Sequence, residues 1–273
     1  MKNYLICFDM DGTLLNEEKT ISKKTKDYVM EISKNNKVVI CSGRPIRGLL
    51  NYYNELLLDT PICSDNGAVI TFNIKSKPWA RVDDVIDRDV FFDFYNDIKP
   101  FNKSCYFAVG NNIYIYNRLE RLEVFYHIDE SSNVFEGDFT REMLKDTPYG
   151  LLFIIDSTKM AEFENIIDKK YSNYIGRRSF GNDNKNAIYE IFSKNVSKGN
   201  AISKLQEYYN IDKDHTICFG DHLNDISMFS FAKYKVAMKN GVSDMHKLSN
   251  FITEKDNDHD GIYYMLKKFN ETL

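Results

Sequence analysis

No apolar run in the 273-residue chain approaches the length of a membrane span. Asp9 and Asp11 interrupt the early stretch where a secretory signal needs unbroken apolar residues. An excess of positive charge is also missing: 36 Lys and Arg stand against 40 Asp and Glu, a formal net charge of -4. That balance gives no general nucleic-acid surface. There is no repeat, no low-complexity tract and no long flexible linker, and no obligate protein partner is evident. Cysteine is scarce. Cys7, Cys41, Cys63, Cys105 and Cys218 form no C-x-x-C pair, and most sit in strand-like apolar runs. They are expected to be reduced, buried thiols of a cytoplasmic protein. The five histidines lack metal-site spacing, which argues against zinc.

What is present is an ordinary globular balance, 43% hydrophobic and 28% charged, in a chain long enough for one large domain or two modest ones. The first stretch alternates strand and helix. Leu5–Phe8 reads as a buried strand, Ser22 caps a helix to about residue 34, and Val38–Cys41 is a second strand. Pro45 suits the first turn of a helix whose apolar face takes in Ile46, Leu49, Leu50, Tyr53 and Leu57. Ile62–Ser64 opens a third strand. Such alternation implies a parallel sheet covered on both faces. After about residue 70 the pattern becomes α+β with antiparallel pairs, including a hairpin at Gly110-Asn111-Asn112 and helix-like segments near 84–98, 117–129 and 158–170. The alternation resumes near residue 198, with strands Thr216–Phe219, Lys235–Met238 and Phe251–Thr253. The expected architecture is an α/β, Rossmann-like parallel-sheet core from residues 1–80 and 188–273. An α+β cap domain, residues 81–187, is inserted between them.

In open parallel sheets ligands bind beyond the carboxyl ends of the strands. Four strands here end in polar clusters: Asp9-Met10-Asp11-Gly12-Thr13, Ser42-Gly43-Arg44, Ser64-Asp65-Asn66-Gly67, and Gly220-Asp221-His222-Leu223-Asn224-Asp225. Carboxylate oxygens suit Mg²⁺, a hard ion that also binds substrate phosphate. The dication would offset the repulsion between neighbouring aspartates and keep Asp9 ionised. An ionised carboxylate can attack phosphorus and form an aspartyl-phosphate. Singly, these residues are ambiguous. Asp9 and Asp11 alone would serve a turn, Ser42 a helix cap, Lys198 a solvated first turn, and Arg44 a pair with a surface carboxylate.

"FDMDGTLL", "CSGR", Lys198 in "VSKGNA" and "GDHLNDISMF" resemble the four successive motifs of the haloacid dehalogenase superfamily. "SDNGA", "VAMKNG" and "DNDHDGI" resemble features of its Cof-type phosphatase branch, which carries a large α/β cap between the second and third motifs. The resemblance spans essentially the whole chain. It implies that Asp9 is the nucleophile and a Mg²⁺ ligand. Asp11 would be the general acid and base, its backbone carbonyl also on the metal. Ser42 and Lys198 would hold the phosphoryl oxygens, with Gly43, Arg44 and Asn224 as further phosphate contacts. Asp221 would be the other protein ligand to Mg²⁺, and Gly12 and Asp225 would support the loops. His222 departs from the glycine often found at its position.

An Asp two places after the nucleophile favours a phosphatase or a phosphomutase, because a sugar alkoxide needs a proton to leave. The leading expectation is a Mg²⁺-dependent phosphatase acting on a small phosphate ester such as a sugar phosphate. The alternatives are a phosphomutase and a non-catalytic metabolite-binding regulatory protein.

Overall fold

The computed structural model describes residues 1–110, 112–126, 128 and 132–273. In chain order its strands are β1 (Leu5–Phe8), β2 (Lys37–Cys41), β3 (Ile62–Ser64), β4 (Val69–Phe72), β5 (Trp79–Arg81), β6 (Asn102–Val109), β7 (Asn112–Tyr116), β8 (Asn133–Glu136), β9 (Gly150–Asp156), β10 (Ile175–Asn182), β11 (Asn186–Ser193), β12 (Thr216–Gly220), β13 (Tyr234–Ala237) and β14 (Phe251–Ile252). The helices are α1 (Lys23–Ile32), α2 (Leu50–Glu55), α3 (Arg88–Ile98), α4 (Glu120–Tyr126), α5 (Met160–Ile166), α6 (Lys198–Tyr209), α7 (Ile226–Phe229), α8 (Ser243–Leu248) and α9 (Gly261–Thr272). Among the described residues no helix is long and apolar enough to cross a membrane.

The chain divides into two compact units, residues 1–81 with 197–273, and residues 82–196. The first is built on an eight-stranded sheet in the order β14-β13-β12-β1-β2-β3-β4-β5. From β14 to β3 every pairing is parallel. β1 and β12 run in register, Leu5 beside Thr216 and Phe8 beside Phe219, so both strands end at one edge. All four residues of β1 are buried, because side chains fill both faces of a parallel sheet. Phe8, Val38, Leu49, Tyr53, Leu266 and Phe269 pack on one face, and Cys7, Cys41, Cys63, Ile202, Leu205 and Met228 on the other. All five thiols are free and buried.

The second unit is a six-stranded sheet in the order β10-β11-β9-β6-β7-β8, antiparallel except for β7 with β8. Its core is aromatic: Phe91 and Phe94 of α3 pack with Phe153 and Phe163. Asp87 caps α3 by accepting from the Asp89 and Val90 amides.

Three expectations change. The return to the core expected after residue 187 falls inside β11, which pairs with both β9 and β10; the division follows Val196 instead. β4 and β5, within or at the end of the 1–80 stretch expected to form a parallel-sheet core, extend that sheet antiparallel. An alternating apolar segment does not state which sheet edge it will join. The helix expected from Pro45 is broken: a 3₁₀ turn over Ile46–Gly48 precedes α2, and Leu57, at φ 53°, leaves the helix and is exposed. Asn111 of the expected hairpin turn and the end of the expected 117–129 helix lie outside the described residues, and α4 covers Glu120–Tyr126.

Candidate active site

Asp9 still belongs to the sheet ladder, since its N–H donates to the Phe219 carbonyl at 3.1 Å. The chain then turns sharply, with the Leu15 N–H returning to the Met10 carbonyl at 2.8 Å. Gly12 makes the turn possible at φ 77°. A Cβ there would also lie 2.4 Å from Asp221 Oδ2, so glycine is what allows the two acidic loops to approach.

Lys198, the first residue of α6, is buried. Its position is set by the Ser197 cap, whose hydroxyl accepts from the Asn200 N–H at 3.1 Å. Nζ donates to Asp9 Oδ1 at 2.5 Å and to Asp225 Oδ1 at 2.6 Å. Asp225 Oδ2 accepts the Asp221 and His222 amides, each at 3.0 Å. Thr13 Oγ1 donates to Asp221 Oδ1 at 2.9 Å. Carboxylate oxygens of Asp9, Asp221 and Asp225 lie within 4.8 Å of one another.

Burial pushes the Asp9 carboxyl up to about 8, with the Asp225 and Asp221 charges adding and Lys198 opposing. Burial and Asp225 push Asp221 up to about 6 against Thr13 and Lys198. Burial works against the Lys198 charge, but Asp225 and Asp9 prevail and hold it above its usual value. The site therefore contains one buried cation among three carboxylates, an excess of negative charge that a dication would relieve. All the donors are hard oxygens, which fits Mg²⁺. Asp225 already uses both oxygens, so Asp9 and Asp221 are the residues with an oxygen to give.

Asp11 is placed differently. Its carboxylate is outside that cluster and takes Arg44 in a two-pronged pair, Nε to Oδ2 and Nη2 to Oδ1, both at 2.6 Å. Lys19 Nζ adds a third bond at 3.0 Å. Burial would raise its pKa, but Arg44 and Lys19 outweigh it and hold the carboxyl below the usual range. Arg44, expected as a phosphate contact, is paired here with Asp11, with its guanidinium 5.6 Å from the Tyr52 ring centre. A guanidinium fork matches a carboxylate as well as it matches a phosphate, so sequence alone does not choose between them. Ser42, at the end of β2, is buried, and its hydroxyl accepts from the Arg44 N–H at 3.2 Å; Gly43 is exposed. Asn224 is half-buried and donates from Nδ2 to Asn66 Oδ1 at 3.0 Å.

The sequence reading missed the roles of Thr13 and Lys19. Thr13 had a local signal, the Asp-Gly-Thr turn; Lys19 had none. "VAMKNG" and "DNDHDGI" meet the nucleophile loop: Asn240 Nδ2 donates to the Gly12 carbonyl at 2.7 Å and Asn257 Nδ2 to the Leu15 carbonyl at 2.9 Å.

The sequence profile of the haloacid dehalogenase-like hydrolases matches residues 6–266. The chain is 28% identical over 270 residues to 5-amino-6-(5-phospho-D-ribitylamino)uracil phosphatase YitU of Bacillus subtilis, covering 98% of each. It is 27% identical to YwtE of the same organism, which carries the same activity name, over 96% of each chain. The crystal structure of TM0651 from Thermotoga maritima is similar with a TM-score of 0.81, 27% identity and 97% of each chain covered. The chain belongs to the haloacid dehalogenase-like hydrolase family. It is an enzyme of the phosphatase class.

Proposed function

We propose that this chain hydrolyses a small phosphomonoester through an aspartyl-phosphate on Asp9, with Asp9 and Asp221 holding Mg²⁺. The observation that carries the reading is the buried Lys198 bridge between Asp9 and Asp225, with Asp221 alongside, at the carboxyl edge of a parallel sheet. Bound there, Mg²⁺ would supply positive charge against the phosphoryl oxygens.

Asp9 attacks phosphorus with its free oxygen; the new bond is Asp9 O–P and the bond that breaks is P–O to the leaving group. Lys198 and Ser42 face the equatorial oxygens and neutralise their charge. Asp11 gives the departing oxygen its proton. It then accepts one from the water that attacks phosphorus and releases Asp9. The grip of Arg44 and Lys19 keeps Asp11 ionised, which is the base form needed in the second step. Its acid form requires that grip to loosen.

The names of YitU and YwtE indicate a phosphorylated polyol chain on a heterocycle. The substrate class proposed here is accordingly a phosphomonoester of a sugar or sugar alcohol. Phosphate release from a panel of such esters, with and without Mg²⁺, tests the reading. Mg²⁺-dependent release of free phosphate is expected. No release from any ester, or an isomerised product that needs a bisphosphate activator, would overturn it.

A pH effect follows from the raised carboxyls. Between their ordinary values near 4 and their folded values of about 6 and 8, Asp221 and Asp9 keep protons that the unfolded chain has released. Their contribution to stability is fully present at low pH and is lost as pH rises through that window. A dication that binds only the ionised pair must displace more protons at pH 6, where Asp9 and much of Asp221 are protonated, than at pH 8, where only part of Asp9 is. Saturating Mg²⁺ should therefore raise Tm more at pH 8 than at pH 6. A shift as large at pH 6 would show that Asp9 is not the group the metal meets.

A further inference from the structure

Asp65, Asn66 and Gly67 follow one another with φ values of 52°, 56° and 88°. Two successive non-glycine residues in the left-handed region are uncommon, and such backbone persists where its surroundings over-determine it. Here the surroundings are three of the loops at the candidate site. The Asn66 N–H donates to the Ser42 carbonyl at 2.9 Å and the Asp65 N–H to the Arg44 carbonyl at 3.0 Å. The Asn66 side-chain amide lies over Gly43, with Oδ1 3.1 Å from where a Cβ would stand, and Oδ1 also accepts from Asn224 Nδ2. Gly67 meets the start of α6 so closely that a Cβ would lie 2.4 Å from the carbonyl of Ser197, the residue before Lys198. Asn66 itself is only 6% exposed.

One short turn therefore touches the Ser42 loop, the Lys198 helix and the Asn224 loop. Glycine at position 66 would serve the backbone equally well, because it enters the left-handed region freely. Asparagine adds the amide that reaches Asn224, whose position is 158 residues further on. An amide held through one N–H is fixed about its last torsion, which also fixes where its other N–H points.

We propose that the Asp65-Asn66-Gly67 turn spaces the three phosphate-holding groups Ser42, Lys198 and Asn224, and that Asn66 is a positioning residue acting through Asn224. The inference rests on the phosphatase reading above and deepens it. Asn66 touches no reacting atom. It holds the Asn224 amide in the orientation in which its second N–H meets a phosphoryl oxygen.

The test uses the full chain and inorganic phosphate as a competitive inhibitor of p-nitrophenyl phosphate hydrolysis. Asn66→Gly keeps the left-handed backbone and its main-chain bonds and removes only the amide. Asn224→Ala removes the other end. Each single variant should weaken phosphate inhibition about tenfold, the size typical of losing a partner that orients a binding group. The double variant should be no worse than the weaker single, because the two side chains act as one unit. KM should rise in step, while the Mg²⁺ half-saturation stays at the parent value. A merely structural role would instead lower Tm and leave the inhibition constant unchanged. Parent-like phosphate inhibition in Asn66→Gly, or losses that multiply in the double variant, would overturn the proposal. So would parent-like inhibition in Asn224→Ala alone, whatever the folding of Asn66→Gly. A parent protein that hydrolyses p-nitrophenyl phosphate but is not inhibited by phosphate would overturn this proposal alone; one that releases no phosphate from any ester would overturn the phosphatase reading and this one with it.

Discussion

Asp9→Asn should leave a folded protein with almost no turnover. The substitution keeps the shape of the side chain and an oxygen that can accept from Lys198, so Lys198 stays paired with Asp225 at 2.6 Å. It removes the nucleophilic oxygen, and no neighbouring side chain can replace it. Among the described residues, Asp11 is engaged by Arg44 and Lys19, Asp225 has both oxygens occupied, and Asp221 is held by Thr13 through one oxygen and in this reading gives the other to the metal. The loss should be on the order of 10⁴–10⁶-fold in kcat, as when a covalent nucleophile is removed elsewhere. Stability should move the other way. The Asp9 carboxyl is pushed up to about 8, so its ionised form is disfavoured in the folded state. The variant has no such charge to bury. Without metal, its Tm should match the parent near pH 3, below the ordinary carboxyl value, and exceed it by a growing margin up to pH 9. Thermal melts at the two pH values, beside phosphate release, check both halves. A variant that unfolds at every pH, or one that retains more than a percent or so of parent turnover, contradicts the assignment.

Lys198→Met should damage fold and activity together, for separable reasons. The side chain is buried and lies between two buried carboxylates. Removing the cation leaves Asp9 and Asp225 facing each other, a loss of about 3–5 kcal/mol when one member of a buried ion pair is deleted. Turnover should fall about 10²–10³-fold, because a positive group aimed at the phosphoryl oxygens is gone. The two losses can be separated by combining Lys198→Met with Asp9→Asn. The double variant should recover part of the lost stability, since fewer unpaired charges remain buried, and none of the activity. Chemical denaturation of the parent, the singles and the double measures the recovery. A double variant less stable than Lys198→Met would show that Lys198 supports the fold through packing rather than through charge.

The parts of the site that were legible in the sequence are those where chemistry follows directly from a strand end. β1 reads as an apolar run, and the carboxylates after it stand out because nothing in a turn requires two of them there. Asp221 and Asp225 are legible in the same way after β12. Lys198 carried no signal of its own. What places it at Asp9 is the cap at Ser197 and the start of α6, and their position depends on parallel pairing between β1 and β12, distant in the chain. Arg44 shows the opposite limit. Its residue type is right for phosphate, but its partner is chosen by where the Asp9–Leu15 turn carries Asp11. The boundary of the second unit was misplaced because β11 alternates like any half-buried strand, and its partners β9 and β10 cannot be read from its own residues. Asn66 was visible only as part of a turn. Its contact with Asn224 spans the whole inserted unit in sequence.

The stereochemical course at phosphorus tests the central claim most directly. The substrate is a phosphomonoester made chiral with sulfur and oxygen isotopes, hydrolysed by the parent protein with Mg²⁺ in isotopically labelled water. An aspartyl-phosphate on Asp9 requires two in-line displacements, one by the carboxylate and one by water. Each inverts phosphorus, so the released phosphate should show net retention. Net inversion would mean a single attack by water, with Asp9 as a metal ligand or a base and no covalent intermediate, and would contradict the account.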